Sequence, residues 1–191
     1  MSSGVDEEAR ARDVCLRQLT VGPRTAAQLA GTMARRGVAE ETANRVLSRL
    51  SEVGLIDDAA FAAAWVNSRH TGRGLARRAL GHELRTRGVA EPLVATALAE
   101  LEPDREAATA RELAARRLAA TRGLDVTVRF RRAAAVLARK GYSPELSYRV
   151  IREVLEGEAE GAAQEGAQEG RKHEGWVADH PDLSGFAPDD E

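Results

Sequence analysis

The chain has 191 residues, with only 4% aromatics, one cysteine and a formal charge of −2. A single cysteine excludes an internal disulfide, and no apolar run is long enough for a membrane-spanning helix. Alanine, leucine, arginine and glutamate dominate, while valine and isoleucine are sparse. This composition predicts an all-α protein, because alanine and straight-chain residues lose little entropy in a helix.

The near-neutral total hides an asymmetry. Residues 1–155 hold 26 basic and 19 acidic side chains, a net of +7, and residues 156–191 hold 2 and 11, a net of −9. The description that matters is a basic body with an acidic tail. Residues 1–8 read as a flexible N-terminus. The stretch from Met1 to Arg12 is polar and lacks an apolar signal core. The expectation is a cytoplasmic monomer.

From there the chain repeats itself. Gly37, Gly88 and Gly141 are 51 and 53 residues apart, and each follows a base, Arg36, Arg87 or Lys140. Four residues before them stand Met33, Leu84 and Leu137, and directly after them Val38, Val89 and Tyr142. Nine and ten residues on come Val46-Leu47, Ala97-Leu98 and Val150-Ile151, and three further still Leu50, Leu101 and Val154. Each glycine fits a helix end that needs positive φ, with a base facing the negative end of the helix dipole. A longer helix leads each unit. It covers roughly Glu8–Thr20 in the first, starts at Asp57 or Asp58 in the second, and at Asp104 after Pro103 in the third. The prediction is three tandem three-helix repeats, residues 9–54, 55–102 and 103–156, nine helices in an elongated curved stack whose neighbours share apolar surface. Residues 157–191 are acidic and low in complexity. They read as a disordered tail that screens the basic body from non-specific DNA, with Trp176 and Phe186 as isolated aromatics.

Candidate chemistry is scarce. His70, His82, His173 and His180 show no metal-ligand spacing and read as solvated. Asp57-Asp58 could pass for a carboxylate pair, but without a base, metal or nucleophile beside it, capping is the better reading. Gly72-Arg73-Gly74 lacks the lysine and hydroxyl residue of a nucleotide loop and reads as an inter-helix loop presenting Arg73. Catalytic residues, cofactors and metal are therefore predicted to be absent. Cys15, beside Val14, Leu16 and Leu19, reads as a small buried hydrophobe.

The arginines remain. Arg69, Arg73, Arg77, Arg78, Arg85 and Arg87 crowd the second unit with Glu83 as the only acid between them. Arg129, Arg131, Arg132, Arg139 and Lys140 do the same in the third, and Arg35-Arg36 echo them in the first. Unpaired guanidinium groups call for an anionic partner such as phosphate. Arg69, Arg73, Arg77, Arg78, Arg85, Arg87, Arg129, Arg132, Arg139 and Lys140 are thus the candidate binding residues.

The segment Gly54-Leu55-Ile56-Asp57-Asp58-Ala59-Ala60-Phe61-Ala62, followed by Arg69, Gly72, Gly74, Arg77, Leu84 and Gly88-Val89, resembles the RecX family. So does Leu137-Ala138-Arg139-Lys140-Gly141-Tyr142-Ser143-Pro144-Glu145, which is similar to that family's closing repeat. The resemblance spans about residues 10–155. It implies an all-α fold of tandem three-helix repeats and a regulator that lies in the groove of the RecA nucleoprotein filament. Such a regulator restrains filament growth, ATP hydrolysis and strand exchange, with weak single- and double-stranded DNA binding of its own and no catalytic residues. Gly81, inside a helix, and the acidic tail depart from the shared pattern. A helix-turn-helix transcription regulator is the alternative, weakened because no unit has a recognition helix rich in Arg, Asn and Gln. A passive helical adaptor is a third reading.

Overall fold

The computed structural model describes residues 2–179, with side chains for 6–164. Among these residues there are nine helices and no strand. Unit 1 is α1 (Ser2–Val21), α2 (Ala26–Ala34) and α3 (Glu40–Glu52). Unit 2 is α4 (Asp58–Arg73), α5 (Arg77–Thr86) and α6 (Glu91–Ala99). Unit 3 is α7 (Pro103–Ala119), α8 (Val126–Arg139) and α9 (Pro144–Asp179).

The helix ends follow the local chemistry of the sequence. Gly37, Gly88 and Gly141 have φ of 75°, 77° and 89°, in the left-handed region that spares only glycine a Cβ clash. Asp57 accepts from the Ala60 N–H at 2.8 Å and starts α4. Ser143 Oγ accepts from the Leu146 N–H, with Pro144 as the first residue of α9. Thr25 and Gln28 form a reciprocal capping box on α2.

Two expectations at the chain ends change. The N-terminus is helical from Ser2, because its acids are employed. Glu7 accepts from the Ala39 N–H at 3.0 Å, and Glu8 pairs with Arg49 at 3.1 Å. In place of disorder from Gly157, α9 continues as helix to Asp179. Alanine, glutamate and glutamine between its glycines favour helix, and Glu158 is held by Arg129 at 2.5 Å. The remainder of that tail, 180–191 with Phe186, lies outside the described residues, as does the Trp176 side chain.

Each unit buries its own core. Unit 1 packs Cys15, Leu29, Met33, Val46, Leu47 and Leu50; unit 2 packs Val66, Leu80, Leu84, Val94 and Leu101. Unit 3 packs Ala110, Leu118, Leu137, Tyr142, Val150 and Ile151, joined from unit 2 by Ala76. Cys15 is fully buried against Met33, and burial raises its thiol pKa. Gly81 is buried where a Cβ would come within 3.1 Å of Leu98 Cδ1, so the glycine admits α6 close to α5. The predicted sharing of apolar surface between neighbours is therefore slight, and something else joins the units.

Polar caps and closely approaching glycines join them, in the same way twice. At the first junction the Ala26 N–H, at the start of α2, donates to Asp58 of unit 2 at 2.9 Å. Thr25 Oγ1 donates to the Arg87 carbonyl at 2.6 Å, and Gly88 sits so close to Ala27 that an added Cβ would lie 2.3 Å from its methyl. At the second junction the Arg77 N–H, at the start of α5, donates to Glu106 of unit 3 at 2.9 Å. The Ala76 N–H donates to the Lys140 carbonyl at 2.9 Å, and Gly141 abuts Ala79. The repeated base and glycine thus serve a purpose beyond ending a helix. The base offers its carbonyl to the preceding unit's helix start, and the glycine lets that helix approach. Asp125 closes the series by capping its own α8, accepting from the Thr127 N–H at 2.8 Å.

The second junction has additional ties. Tyr142 donates from its hydroxyl to the Gly74 carbonyl at 3.0 Å, and Lys140 Nζ donates to the Arg73 carbonyl at 2.5 Å, so unit 3 caps the end of α4. Burial pushes the Tyr142 phenol up, so it stays a donor at ordinary pH. Tyr142→Phe is expected to cost about 1–2 kcal/mol, since it leaves a buried carbonyl without its donor. Urea unfolding of the full chain checks this.

His70 is buried rather than solvated. Its Nδ1–H donates to the Leu75 carbonyl at 2.9 Å, because a carbonyl only accepts, and Nε2 lies 3.0 Å from Thr109 Oγ1. The imidazole thereby bridges the end of α4 to α7. His82 is exposed, as predicted; the His173 side chain and His180 lie outside the described residues.

Candidate functional site

The candidate arginines divide by what they touch. Arg77 is structural: its Nε is 3.6 Å from Glu106 Oε2 and its Nη2 donates to the Leu101 carbonyl. Arg85 makes two 2.7 Å bonds to Glu91, which raise its pKa and lower that of Glu91. Arg129 binds Glu158 and the Leu118 carbonyl at 3.2 Å. The predicted shortage of acids is therefore corrected for these three. The Arg85 partner lies six residues on, at the start of α6, whereas those of Arg77 and Arg129 come from α7 and α9, each 29 residues away.

Arg69 and Arg87 belong to a different arrangement, centred on Trp65. The guanidinium carbon of Arg87 lies 3.7 Å from the Trp65 ring centroid and that of Arg69 4.1 Å. Phe61 stacks on Trp65 at 5.6 Å, and the indole N–H donates to Glu83 Oε2 at 2.8 Å. Glu83 also sits 3.9 Å from Arg69 Nε, and its carbonyl accepts from Arg87 Nη1 at 2.7 Å. Burial lowers the Arg87 pKa; Glu83 opposes the shift and Arg69 adds to it. Cations over an indole face are attracted by its quadrupole, so this clasp fixes the ring. The spacing of Trp65 and Arg69, four apart on one helix, was the available signal for it, but Arg87 comes from another helix.

Arg73 and Lys140 meet at the second junction. Arg73 is the last residue of α4, so the predicted presenting loop is a helix end closed by Gly74 at φ 62°. Its side chain is exposed, while Lys140 is half-buried and holds the Arg73 carbonyl. Beside them Arg105 and Arg116, neither singled out from sequence, line a hollow of about 600 Å³ that also contains Glu112.

Arg78, Arg131, Arg132 and Arg139 are exposed, and none has an ion-pair partner among the described residues. Arg78 stands ten residues before Gly88 and Arg131 ten before Gly141. They occupy the same place on equivalent helices, α5 and α8. Arg132 and Arg139, seven apart and nearly superposed, lie together to one side of Arg131, and all three point away from the buried Ala133 and Leu137. The structure therefore retains a free cationic stripe, smaller than predicted and restricted to one position of the repeat and its neighbours.

Asp57 and Asp58 are both spent on helix starts, and no cluster of His, Cys, Asp and Glu suited to a metal ion occurs among the described residues. No helix there is long and apolar enough to cross a membrane. These features define an all-α tandem-repeat protein with a cationic stripe and polar unit junctions. Family models described as RecX, first, second and third three-helix domain, match residues 11–50, 57–98 and 104–151. The chain is 56% identical over 155 residues to the regulatory protein RecX of Streptomyces lividans, covering 81% of this chain and 82% of that one. It is 58% identical over 153 residues to the regulatory protein RecX of Thermobifida fusca, covering 80% and 83%. The crystal structure of RecX from Lactobacillus salivarius superposes with a TM-score of 0.74 over 78% of this chain and 97% of that one, at 16% identity. A second crystal structure, of a regulatory protein RecX, gives 0.71 over 78% and 74%, at 26% identity. The chain belongs to the RecX family.

Proposed function

We propose that this chain is a non-catalytic cytoplasmic regulator that binds the RecA nucleoprotein filament as a monomer. It lies along the filament groove and restrains ATP hydrolysis, filament growth and strand exchange in recombination and repair. The observation that carries this reading is the equivalent placement of Arg78 and Arg131 on successive units. A cationic group at the same place on units 2 and 3, where unit 1 has Ala27, suits a partner whose anionic groups are also periodic, as phosphates on a helical polymer are. Family membership supports the choice of RecA as that polymer. The duplex-specific transcription regulator is less well supported, because a stripe of arginines interrupted by alanines offers charge without base-reading amides.

The test is the single-strand-dependent ATPase of purified RecA with this chain added below stoichiometry. Inhibition that grows with substoichiometric additions is expected. An unchanged ATPase, together with tight binding to one duplex sequence without RecA, refutes the filament reading.

A further inference from the structure

Between units 1 and 2 lies a groove of about 530 Å³ that the arginine stripe does not use. Leu19 from α1, Leu55 from the α3–α4 link, and Phe61, Ala64 and Trp65 from α4 line it. The volume suits one or two large side chains. Its aromatic wall is rigid before anything binds, since Trp65 is fixed by Glu83, Phe61, Arg69 and Arg87. A fixed wall reduces the ordering cost of association. Apolar surface continues out of the groove: Leu55 is 51% exposed, its neighbour Val53 69%, and Val21, two residues before the lining Pro23, 78%. Exposed apolar surface concentrated at one cleft marks a binding site more often than a solvated face.

The charge of the rim says what enters. Arg24 and Arg69 line the groove, with Arg87 behind Trp65. Against these three bases stand Asp57 in the lining, engaged with the Ala60 N–H at the start of α4, and Glu83, 3.9 Å from Arg69, so the five groups remain net positive. An occupant with negative charge around an apolar anchor is complementary. A nucleic-acid base is a poor fit, because Phe61 and two guanidinium groups already cover Trp65. The chain's own acidic end is poorly placed. Gly141, at the root of α9, touches α5, and α9 then runs to the far end of α8, where Gly161 and Ala162 flank Val126. Its 36 residues extend about 50 Å from unit 2.

We propose that this groove docks an acidic segment of the recombinase bearing a leucine- or phenylalanine-sized side chain. The chain then holds filament protein at the unit 1–unit 2 junction and filament DNA along α5 and α8. This rests on the filament reading, and the test separates the two. Ala64→Glu puts bulk and negative charge on an exposed helical position in the groove, and Leu55→Ser removes the half-exposed wall. Each is expected to weaken binding to RecA filaments at least tenfold, with DNA binding in the absence of RecA and the circular dichroism unchanged. In parallel, Ala64→Cys carrying a benzophenone, in the full chain, is expected to cross-link to an acid-rich RecA segment. Undiminished filament binding by both variants, or cross-links only to DNA or to a second copy of this chain, overturns the groove assignment while wild-type inhibition upholds the filament reading. If the wild-type chain leaves RecA unaffected, the filament reading falls and the docking assignment falls with it.

Discussion

Gly141→Ala is expected to destabilise the chain by about 3 kcal/mol, whereas Gly123→Ala costs about 1 kcal/mol. The two glycines share a backbone conformation, with φ of 89° and 88°. The left-handed strain on an added Cβ is therefore nearly equal at both. Their surroundings differ. At Gly123 no atom lies within 4 Å of the added carbon, but at Gly141 it would meet Ala79 Cβ and the Ala79 backbone N at 2.7 Å. A backbone nitrogen cannot swing aside as a side chain can, so unit 3 must withdraw from unit 2. Withdrawal breaks the Ala76 N–H bond to the Lys140 carbonyl and loosens the Tyr142 and Lys140 caps on α4. The excess of Gly141→Ala over Gly123→Ala in urea unfolding thus measures the junction alone. Equal losses at the two sites would show that the units are not joined at this glycine.

The second large effect concerns the cationic stripe. Replacing Arg78, Arg131 and Arg132 together with glutamate is expected to weaken inhibition of the RecA ATPase at least tenfold. The salt dependence of DNA binding should also fall, by about one unit of slope for every phosphate that an arginine no longer neutralises. Folding should hardly change, because these side chains are exposed and have no ion-pair partner among the described residues. Arg77 and Arg85 are unsuitable for this purpose. Reversal at Arg77 would set a carboxylate against Glu106 and the Leu101 carbonyl at a unit junction, and reversal at Arg85 would face Glu91. Loss of inhibition in the Arg77 variant would report damage to the fold, and in the Arg85 variant it would mix the lost cation with a new repulsion from Glu91. Full inhibition by the triple variant, with its helicity intact, would remove the stripe from the interface.

These two experiments divide along the line between local and tertiary information. The repeat was legible because it is written in local chemistry. Glycine is the residue that tolerates positive φ, so Gly37, Gly88 and Gly141 mark helix ends wherever they pack. Asp57 and Ser143 cap within three residues of themselves. The apolar residues that follow each glycine at fixed offsets mostly recur on buried faces, such as Val46, Ala97 and Val150. The helical class and the number of units both come from interactions within one turn or one helix.

What local chemistry could not supply was the fate of each charge. Arg77 meets Glu106 across 29 residues and Arg129 meets Glu158 across another 29, so neither pairing follows from spacing on a helix. Arg87 covers Trp65 only because α5 packs beside α4. His70 is buried because α7 lies over the end of α4 and supplies Thr109. Ten bases looked alike in sequence, and packing separated the cross-linked ones from the few left to solvent. An ion pair or a stacked cation is decided by which side chain arrives within about 4 Å, and that depends on how whole helices are placed against one another.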